Sequence, residues 1–378
     1  MSRPDPLSFY EFFAGGGMAR AGLGSAWRCL FANDFDPQKA SAYRANWGAD
    51  DLREGDVWAL AADDLPGRAD LAWASSPCQD FSLAGARAGL GGGRSSAFLG
   101  FWRLIEALDG EGRAPRAVVL ENVSGLLSSH GGADFSAVCR LFAERGYRFG
   151  AVEIDAARFL PQSRPRVFLI AAREPAASGL AGEAGDFHTP AVRAAQARLS
   201  AELQALWLWW RLEPPAARNT RLADLLEPDA AARWRSPAQT AALLEQMSPA
   251  HRARLAEAAV RDERVVAAVY RRIRREDGRR VQRAEIRLDG LAGCLRTPGG
   301  GSSRQFLIVA EAGAVRSRLL TAREGARLMG LDDRYRLPAS ESAGLKLVGD
   351  GVAAPVVRFL AERLLEPLLA KAAAIAAE

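Results

Sequence analysis

Lysine is almost absent from this 378-residue chain. Lys39, Lys346 and Lys371 are its only lysines, so arginine carries nearly all of the 50 basic charges. Together with the abundance of alanine, that bias reads as a GC-rich coding composition rather than a functional device. Cysteine is scarce too. Cys29, Cys78, Cys139 and Cys294 lie far apart with no Cys-x-x-Cys pair, which argues against a disulfide framework and against a structural zinc site. His130, His188 and His251 show no metal-ligand spacing, and no metal is expected. No stretch is long and apolar enough to cross a membrane, and Met1–Pro6 leads into no signal core, so the cytoplasm is the expected compartment. What is present is ordinary soluble protein, 49% hydrophobic and 25% charged, and long enough for a large domain plus a smaller one. A net charge of +5 leans modestly toward an anionic partner such as nucleic acid.

One stretch organises the chain: Leu71 to Ser82, Leu-Ala-Trp-Ala-Ser-Ser-Pro-Cys-Gln-Asp-Phe-Ser. An apolar run of strand length ends in small polar residues, and Cys78 follows Pro77 directly. Open α/β sheets bind ligands beyond the carboxyl ends of their strands, and Pro77 restrains the backbone at Cys78. Taken alone, the stretch suits a reactive thiol on an exit loop and a small buried hydrophobe equally well.

Upstream, the aromatic strand Leu7 to Phe13 runs into Ala14-Gly15-Gly16-Gly17 and a helix. Glycines there bring backbone amides close to a ligand, and a helix N-terminus favours negative charge. The spacing is not the dinucleotide Gly-x-Gly-x-x-Gly, so a nicotinamide cofactor is poorly supported. The strand Trp27 to Ala32 ends in Asn33-Asp34-Phe35-Asp36. An acid at that position commonly accepts ribose hydroxyls. Asp34 is the better placed, whereas Asp36 before Pro37 suits the N-cap of a helix reaching Trp47. Glu54 to Val57 closes a third unit with Asp56 facing the ligand. Ala84 to Ser95 carries Arg87 and Arg94 among glycines and reads either as a lid with phosphate contacts or as a solvated loop.

Further on, the strand Ala117 to Leu120 runs into Glu121-Asn122-Val123, a carboxylate placed like Cys78. Gln162, Arg164 and Arg166 alternate, so an extended chain would point them to one face. Leu199 to Leu212, with Trp207, Trp209 and Trp210, reads as a packed core helix in preference to a DNA-stacking platform. From Arg218 to Val315 the pattern is irregular. Its basic run Tyr270 to Arg287, followed by Arg296, Thr297 and Arg304, suits a nucleic-acid face. Val352 to Ala374 reads as a long C-terminal helix.

These motifs occur in a telling order: Phe13-Ala14-Gly15-Gly16-Gly17, Asn33-Asp34, Pro77-Cys78-Gln79-x-Phe81-Ser82, Glu121-Asn122-Val123 and Gln162-x-Arg164-x-Arg166. Leu320-Thr321-x-Arg323-Glu324 and Gly349-Asp350-Gly351-Val352 complete the series. Together, over nearly the whole chain, they resemble the DNA (cytosine-5) methyltransferases of bacteria and phages. The resemblance implies an α/β, doubly wound, Rossmann-like methyltransferase fold using S-adenosylmethionine, with a smaller, irregular target-recognition domain. Residues 1–173 would form the catalytic domain, 174–315 the recognition domain, and 316–378 a segment returning to the catalytic domain. Phe13, Gly15, Gly17, Asp34, Phe35, Asp56, Pro77, Asp350 and Val352 would surround the cofactor. Cys78 would be the nucleophile, Glu121 the acid at cytosine N3, and Arg164 a residue braced near the base. Gln79, Ser82, Arg87, Arg94, Gln162, Arg166, Arg296, Thr297 and Arg304 would face the DNA.

The family's chemistry needs such residues. Cytosine C5 is a poor nucleophile until a thiolate adds to C6, and a free thiol with a pKa of about 8.5 must be helped to ionise. The base must also leave the duplex to be reached. Two departures stand out: Met18 replaces a frequent glycine, and Asp350 replaces the usual asparagine. A carboxylate at 350 would repel the cofactor's own unless it turned to the ammonium group. The expected partner is double-stranded DNA, bound by a monomer, with any cognate restriction endonuclease outside this chain. An RNA-directed cytosine-5 methyltransferase and a catalytically silent DNA-binding relative are the rival readings, and a nicotinamide-dependent enzyme a distant third.

Overall fold

The computed structural model describes residues 6–76, 97–173, 179–276, 278–296 and 304–375. Pro77, Cys78, Gln79, Ser82, the Ala84–Ser95 segment with Arg87 and Arg94, and Thr297 lie outside the described residues. The chain divides into two compact units. One comprises the chain up to Asp155, Pro165–Ala216 and the part from Val352 onward; the other comprises Ala156–Arg164 and Ala217–Gly351.

The first unit is built on seven strands: β1 (Leu7–Phe12), β2 (Trp27–Asp34), β3 (Leu52–Glu54), β4 (Leu71–Ser75), β5 (Ala117–Asn122), β6 (Arg148–Asp155) and β7 (Pro165–Ala172). Their order is β3-β2-β1-β4-β5-β7-β6, parallel except for β7, which runs antiparallel to both neighbours. The winding reverses between β1 and β4, the place where open sheets of this kind bind ligands. Every residue of β5 and the first four of β4 are buried. That explains their unbroken apolar character, because a parallel sheet is covered on both faces.

Six helices follow the early strands: α1 (Met18–Leu23), α2 (Pro37–Trp47), α3 (Ala97–Gly110), α4 (Ala133–Glu144), α5 (Pro190–Ala197) and α6 (Ala201–Ala205). α2 begins as its sequence demands, with Asp36 accepting from the amides of Gln38 at 2.9 Å and Lys39 at 3.2 Å and with Pro37 in the first turn. An aromatic layer holds α3 and α4 on the sheet. Trp102 meets Phe142 edge-on at 5.1 Å, and Phe149 meets Trp207 at 6.1 Å. Fully burying such a ring contributes at least about 2 kcal/mol.

The tryptophan-rich segment is buried, as expected, but it is not a helix. α6 stops at Ala205, and the chain then extends beside β6, with the Phe149 amide donating to Leu206 O (3.2 Å) and the Leu208 amide to Phe149 O (2.7 Å). The edge of β6 has backbone groups to satisfy, and Gly150 leaves room for the Leu208 carbonyl, which would lie 1.8 Å from any Cβ. This anchoring places residues 179–216 in the first unit rather than with the expected recognition domain.

The second unit is more regular than the sequence suggests. It contains α7 (Pro237–Glu245), α8 (Pro249–Ala259), β8 (Val265–Glu276), β9 (Arg279–Arg287), β10 (Phe306–Glu311), β11 (Ala314–Leu319), α9 (Ala322–Leu328) and α10 (Glu341–Asp350). The strands form an antiparallel sheet in the order β11-β10-β8-β9. Leu243, Met247 and Leu255 pack against Val269, Ala284, Ile286 and Ile308. Arginines in adjacent pairs, at 271–272, 274–275 and 279–280, place charge on both faces and mask the period-two pattern. A buried ion pair, Arg318 with Glu324, ties β11 to α9, and Thr321 and Glu324 cap that helix reciprocally. Residues 316–351 therefore belong here, not with the segment that returns.

What returns begins at Val352. α11 (Ala354–Leu360) and α12 (Glu366–Ile375) are joined by a π turn over Ala361–Leu365, in place of one uniform helix. α11 lies against Gly22 of α1, where a Cβ would come within 2.4 Å of the Val357 side chain. Arg116 donates to Leu369 O at 2.7 Å. Among the described residues no helix is long and apolar enough to cross a membrane, and no group of three His, Cys, Asp or Glu could hold a metal ion.

Candidate active site

The carboxyl ends of β1, β2 and β3 bring the first motifs together. Phe13 has φ 57°, Gly15 φ 58° and Gly17 φ 76°, so the chain takes a left-handed path that a phenylalanine rarely adopts. Asp34 holds that turn. Its carboxylate accepts from the Gly15 amide at 2.7 Å and from the Asp36 amide at 2.8 Å. Burial raises the Asp34 pKa, and these two amide donors oppose the rise. Asn33, one residue earlier, donates to Arg53 O (2.9 Å) and Gly55 O (3.0 Å), fixing the exit of β3 that leads to Asp56. Asp56 accepts from the Trp58 amide at 3.0 Å.

The two glycines differ. Among the described residues a Cβ on Gly15 would meet nothing within 4 Å, whereas one on Gly17 would lie 2.3 Å from the Trp47 indole nitrogen. Gly15 therefore borders open space, and Gly17 is required by packing. Phe35, next to Asp34, is 75% exposed. An open glycine turn, a buried carboxylate with its amide partners and an exposed ring suit an adenosine-bearing ligand, with its hydroxyls on the acid and its base against the ring.

Sequence reasoning missed the support behind this turn. Trp47 donates to Gly16 O at 2.9 Å, and Arg20 lies over the Trp47 ring at 5.1 Å while pairing with Asp51 at 2.6 Å. Glu11 is 1% exposed on β1, accepts from the Arg20 amide at 3.4 Å, and burial pushes its pKa up to about 8. An acid in the middle of an aromatic strand was the visible signal.

A second group stands at the ends of β4 and β5, where Ser75 is paired with Glu121. Glu121 is buried, and the Arg166 guanidinium from β7 lies 3.1 Å from its carboxylate. Asn122 donates to Ser76 O at 2.9 Å and so anchors the chain as it leaves β4. Cys78 stands two residues further along the sequence.

Gln162, Arg164 and Arg166 do not share a face. Arg166 belongs to the first unit beside Glu121, whereas Gln162 and Arg164 are buried in the second. Strand β7 begins only at Pro165, so the alternation expected of an extended chain does not hold across it. Arg164, 2% exposed, donates to Leu295 O (3.0 Å), Gly349 O (2.9 Å), Gly351 O (2.6 Å) and Cys294 Sγ (3.3 Å). Its fork is turned onto backbone carbonyls. Gln162 donates to Leu328 O at 2.6 Å and accepts from the Leu295 amide at 3.2 Å. Arg296 is exposed, Arg304 lies 3.8 Å from Glu341, Asp350 is exposed at the end of α10, and Val352 is buried.

The doubly wound sheet and the ligand turn at its switch point define an S-adenosylmethionine-dependent methyltransferase fold. The chain belongs to the C-5 cytosine-specific DNA methylase family, whose model matches residues 7–366. It is 24% identical over 358 residues to the Type II methyltransferase M.NlaX of Neisseria lactamica, covering 94% of this chain and 95% of that protein. It is 26% identical over 366 residues to the Type II methyltransferase M.HhaI of Haemophilus parahaemolyticus, covering 94% and 93%. Among solved structures, the Dnmt2 methyltransferase of S. pombe superposes with a TM-score of 0.60 at 20% identity, over 96% of this chain and 99% of that one. A putative DNA modification methyltransferase encoded within an E. coli prophage gives 0.56 at 17% identity, again over 96% and 99%. Methyltransferases of this family and fold take their methyl group from S-adenosylmethionine.

Proposed function

We propose that this protein is a sequence-specific DNA (cytosine-5) methyltransferase with Cys78 as its nucleophile and the Glu121–Arg166 pair as its proton-handling partner. The observation that carries the reading is that pair, its Glu121 buried at the end of β5 in register with the end of β4, after which Cys78 follows in the sequence. The Cys78 thiolate adds to C6 of a flipped-out cytosine, and the C5–C6 π electrons move toward C5 and N3. Glu121 delivers the proton that N3 takes as charge builds there, and Arg166 holds the carboxylate that remains. Asn122 holds Ser76, two residues before Cys78 in the sequence, beside the end of β5. Once C5 carries the methyl group, its proton passes to water, the thiolate leaves C6 and the N3 proton returns to Glu121, which restores the ring.

When bound, S-adenosylmethionine supplies an electrophilic methyl group. Gly15 gives it room, Asp34 and Asp56 offer acceptors, and Phe35 offers a ring face, with Phe13, Pro77, Asp350 and Val352 completing the set carried by the motifs. Residues of the second unit, Arg296 and Arg304 among them, face the duplex in this reading.

The test is transfer of labelled methyl to DNA, with bisulfite sequencing to locate the modified cytosine. Cys78→Ala should abolish transfer while cofactor binding persists. A Cys78→Ala enzyme that still methylates overturns the assignment, and transfer to tRNA in preference to DNA replaces the substrate.

A further inference from the structure

The β8–β9 ribbon carries its charge asymmetrically. Strand residues alternate between faces, and the register pairs Arg271 with Ala284, Ile273 with Gln282 and Arg275 with Arg280 on one face. The other face pairs Arg272 with Arg283, Arg274 with Val281 and Glu276 with Arg279. On that second face the charges are largely compensated. Glu285 bonds Arg274 at 2.7 Å and lies 3.4 Å from Arg272, Glu276 pairs with Arg283, and Asp289 with Arg287.

The first face has no carboxylate among the described residues. It begins as the core face, where Val269, Ala284 and Ile286 lie under the helices of the second unit. Beyond that cover it continues as Arg271, which stacks over Phe306 at 5.0 Å, then Ile273, 52% exposed, and finally Arg275 and Arg280. Arg275 and Arg280 are exposed and directly opposite each other. Like charges in that relation destabilise a ribbon. Among the described residues no contact repays the arrangement, and a polyanion laid along the face would.

We propose that this face of the ribbon grips the phosphate backbone of duplex DNA, with Arg275 and Arg280 as its phosphate anchors. A two-stranded ribbon is narrow enough for the major groove. Ile273 and Gln282, one step nearer the core, then approach the base edges. The inference rests on the functional reading above for the identity of the nucleic acid, and it adds which surface takes hold of it.

The experiment measures affinity for a duplex carrying the methylated site against salt concentration, for the wild type, Arg275→Ala/Arg280→Ala and Arg274→Ala. Each phosphate contact contributes about 0.9 to the slope of log K on log salt. The double variant should therefore lose roughly 1.8 of that slope and bind on the order of 10- to 100-fold more weakly at low salt. Arg274→Ala, on the compensated face, should stay within about twofold on the same scale. The double variant should melt no lower than the wild type, because a repulsive pair is gone. An unchanged slope, or an equal loss in Arg274→Ala, overturns the proposal, as does a wild type that prefers single-stranded RNA to the duplex. The two readings fail separately. A wild type that binds duplex DNA through this face but transfers no methyl sinks the enzyme reading alone, and one that methylates with the slope unmoved in the double variant sinks the ribbon alone.

Discussion

Replacing Arg164 separates two accounts of a residue that the sequence places in the reaction. Its guanidinium is buried and donates to three backbone carbonyls, Leu295 O, Gly349 O and Gly351 O, and to Cys294 Sγ. Arg164→Ala strands those acceptors. An unsatisfied buried carbonyl costs about 1–3 kcal/mol, and three would cost about 3–9 if nothing relaxed. Water entering the vacated space recovers part of this, so the lower half of the range is the better expectation, about 3–6 kcal/mol. For a domain of this size that lowers the melting temperature by on the order of 10 °C. Arg164→Lys keeps the charge but loses the planar fork. One ammonium cannot serve three separated carbonyls at once, so roughly a third of the loss should be recovered. The assay is thermal unfolding combined with amide exchange at Leu295 and Gly351, run beside methyl-transfer kinetics. If Arg164 instead acted on the base, Arg164→Ala would lower kcat and leave stability and exchange at wild-type values. That result refutes the clamp.

Two further perturbations follow from the first unit. Gly15→Ala should cost only about 1 kcal/mol, the strain of a left-handed alanine in open space, yet weaken S-adenosylmethionine binding in calorimetric titration. Gly17→Ala should cost about 2–4 kcal/mol, because its Cβ collides with Trp47, which supports the turn; equal stability losses at both positions would count against the cradle. Glu11, held near pKa 8 by burial, binds a proton in the folded state that the unfolded chain has released above about pH 4.5. Native stability therefore falls as pH rises from about 4.5 to about 8 and is flat beyond, by at most about 5 kcal/mol. Glu11→Gln should melt progressively higher than the wild type across that window, and parallel stability curves for the two proteins would refute the assignment.

How far the sequence led depended on where the information was local. α2 was legible to the residue because Asp36, Pro37 and Gly48 announce its ends chemically. β4 and β5 were legible because full burial leaves an uninterrupted apolar run. The tryptophan segment misled because an apolar run has no period to betray it. It was the unpaired edge of β6, far away in sequence, that decided it should extend. The second sheet misled for the opposite reason: exposed arginines on both faces of β8 and β9 interrupt the apolar residues that face its helices. At the site, the residue types in each motif were visible, but the parting of Arg164 from Arg166 was not. Two residues of spacing say that both could face one way. Only the break before Pro165 sends one guanidinium into the second unit and the other to Glu121.

The motifs at the sheet's carboxyl end share a form that geometry now explains. Asn33-Asp34 and Glu121-Asn122 each join an acid to an amide at the last positions of a strand. In both, the amide turns sideways to hold the neighbouring strand's exit: Asn33 takes Arg53 O and Gly55 O, and Asn122 takes Ser76 O. The acid beside it is held by other means, Asp34 by the Gly15 and Asp36 amides and Glu121 by Arg166. Each dipeptide thus sets two things at once, its own carboxylate and the exit of the strand beside it, held at Gly55 in one case and at Ser76 in the other. An acid alone could be mounted on many strands. An acid whose neighbour also fixes the adjacent loop can sit only at a strand end beside that loop, so the pair, and not the acid, carries the positional information.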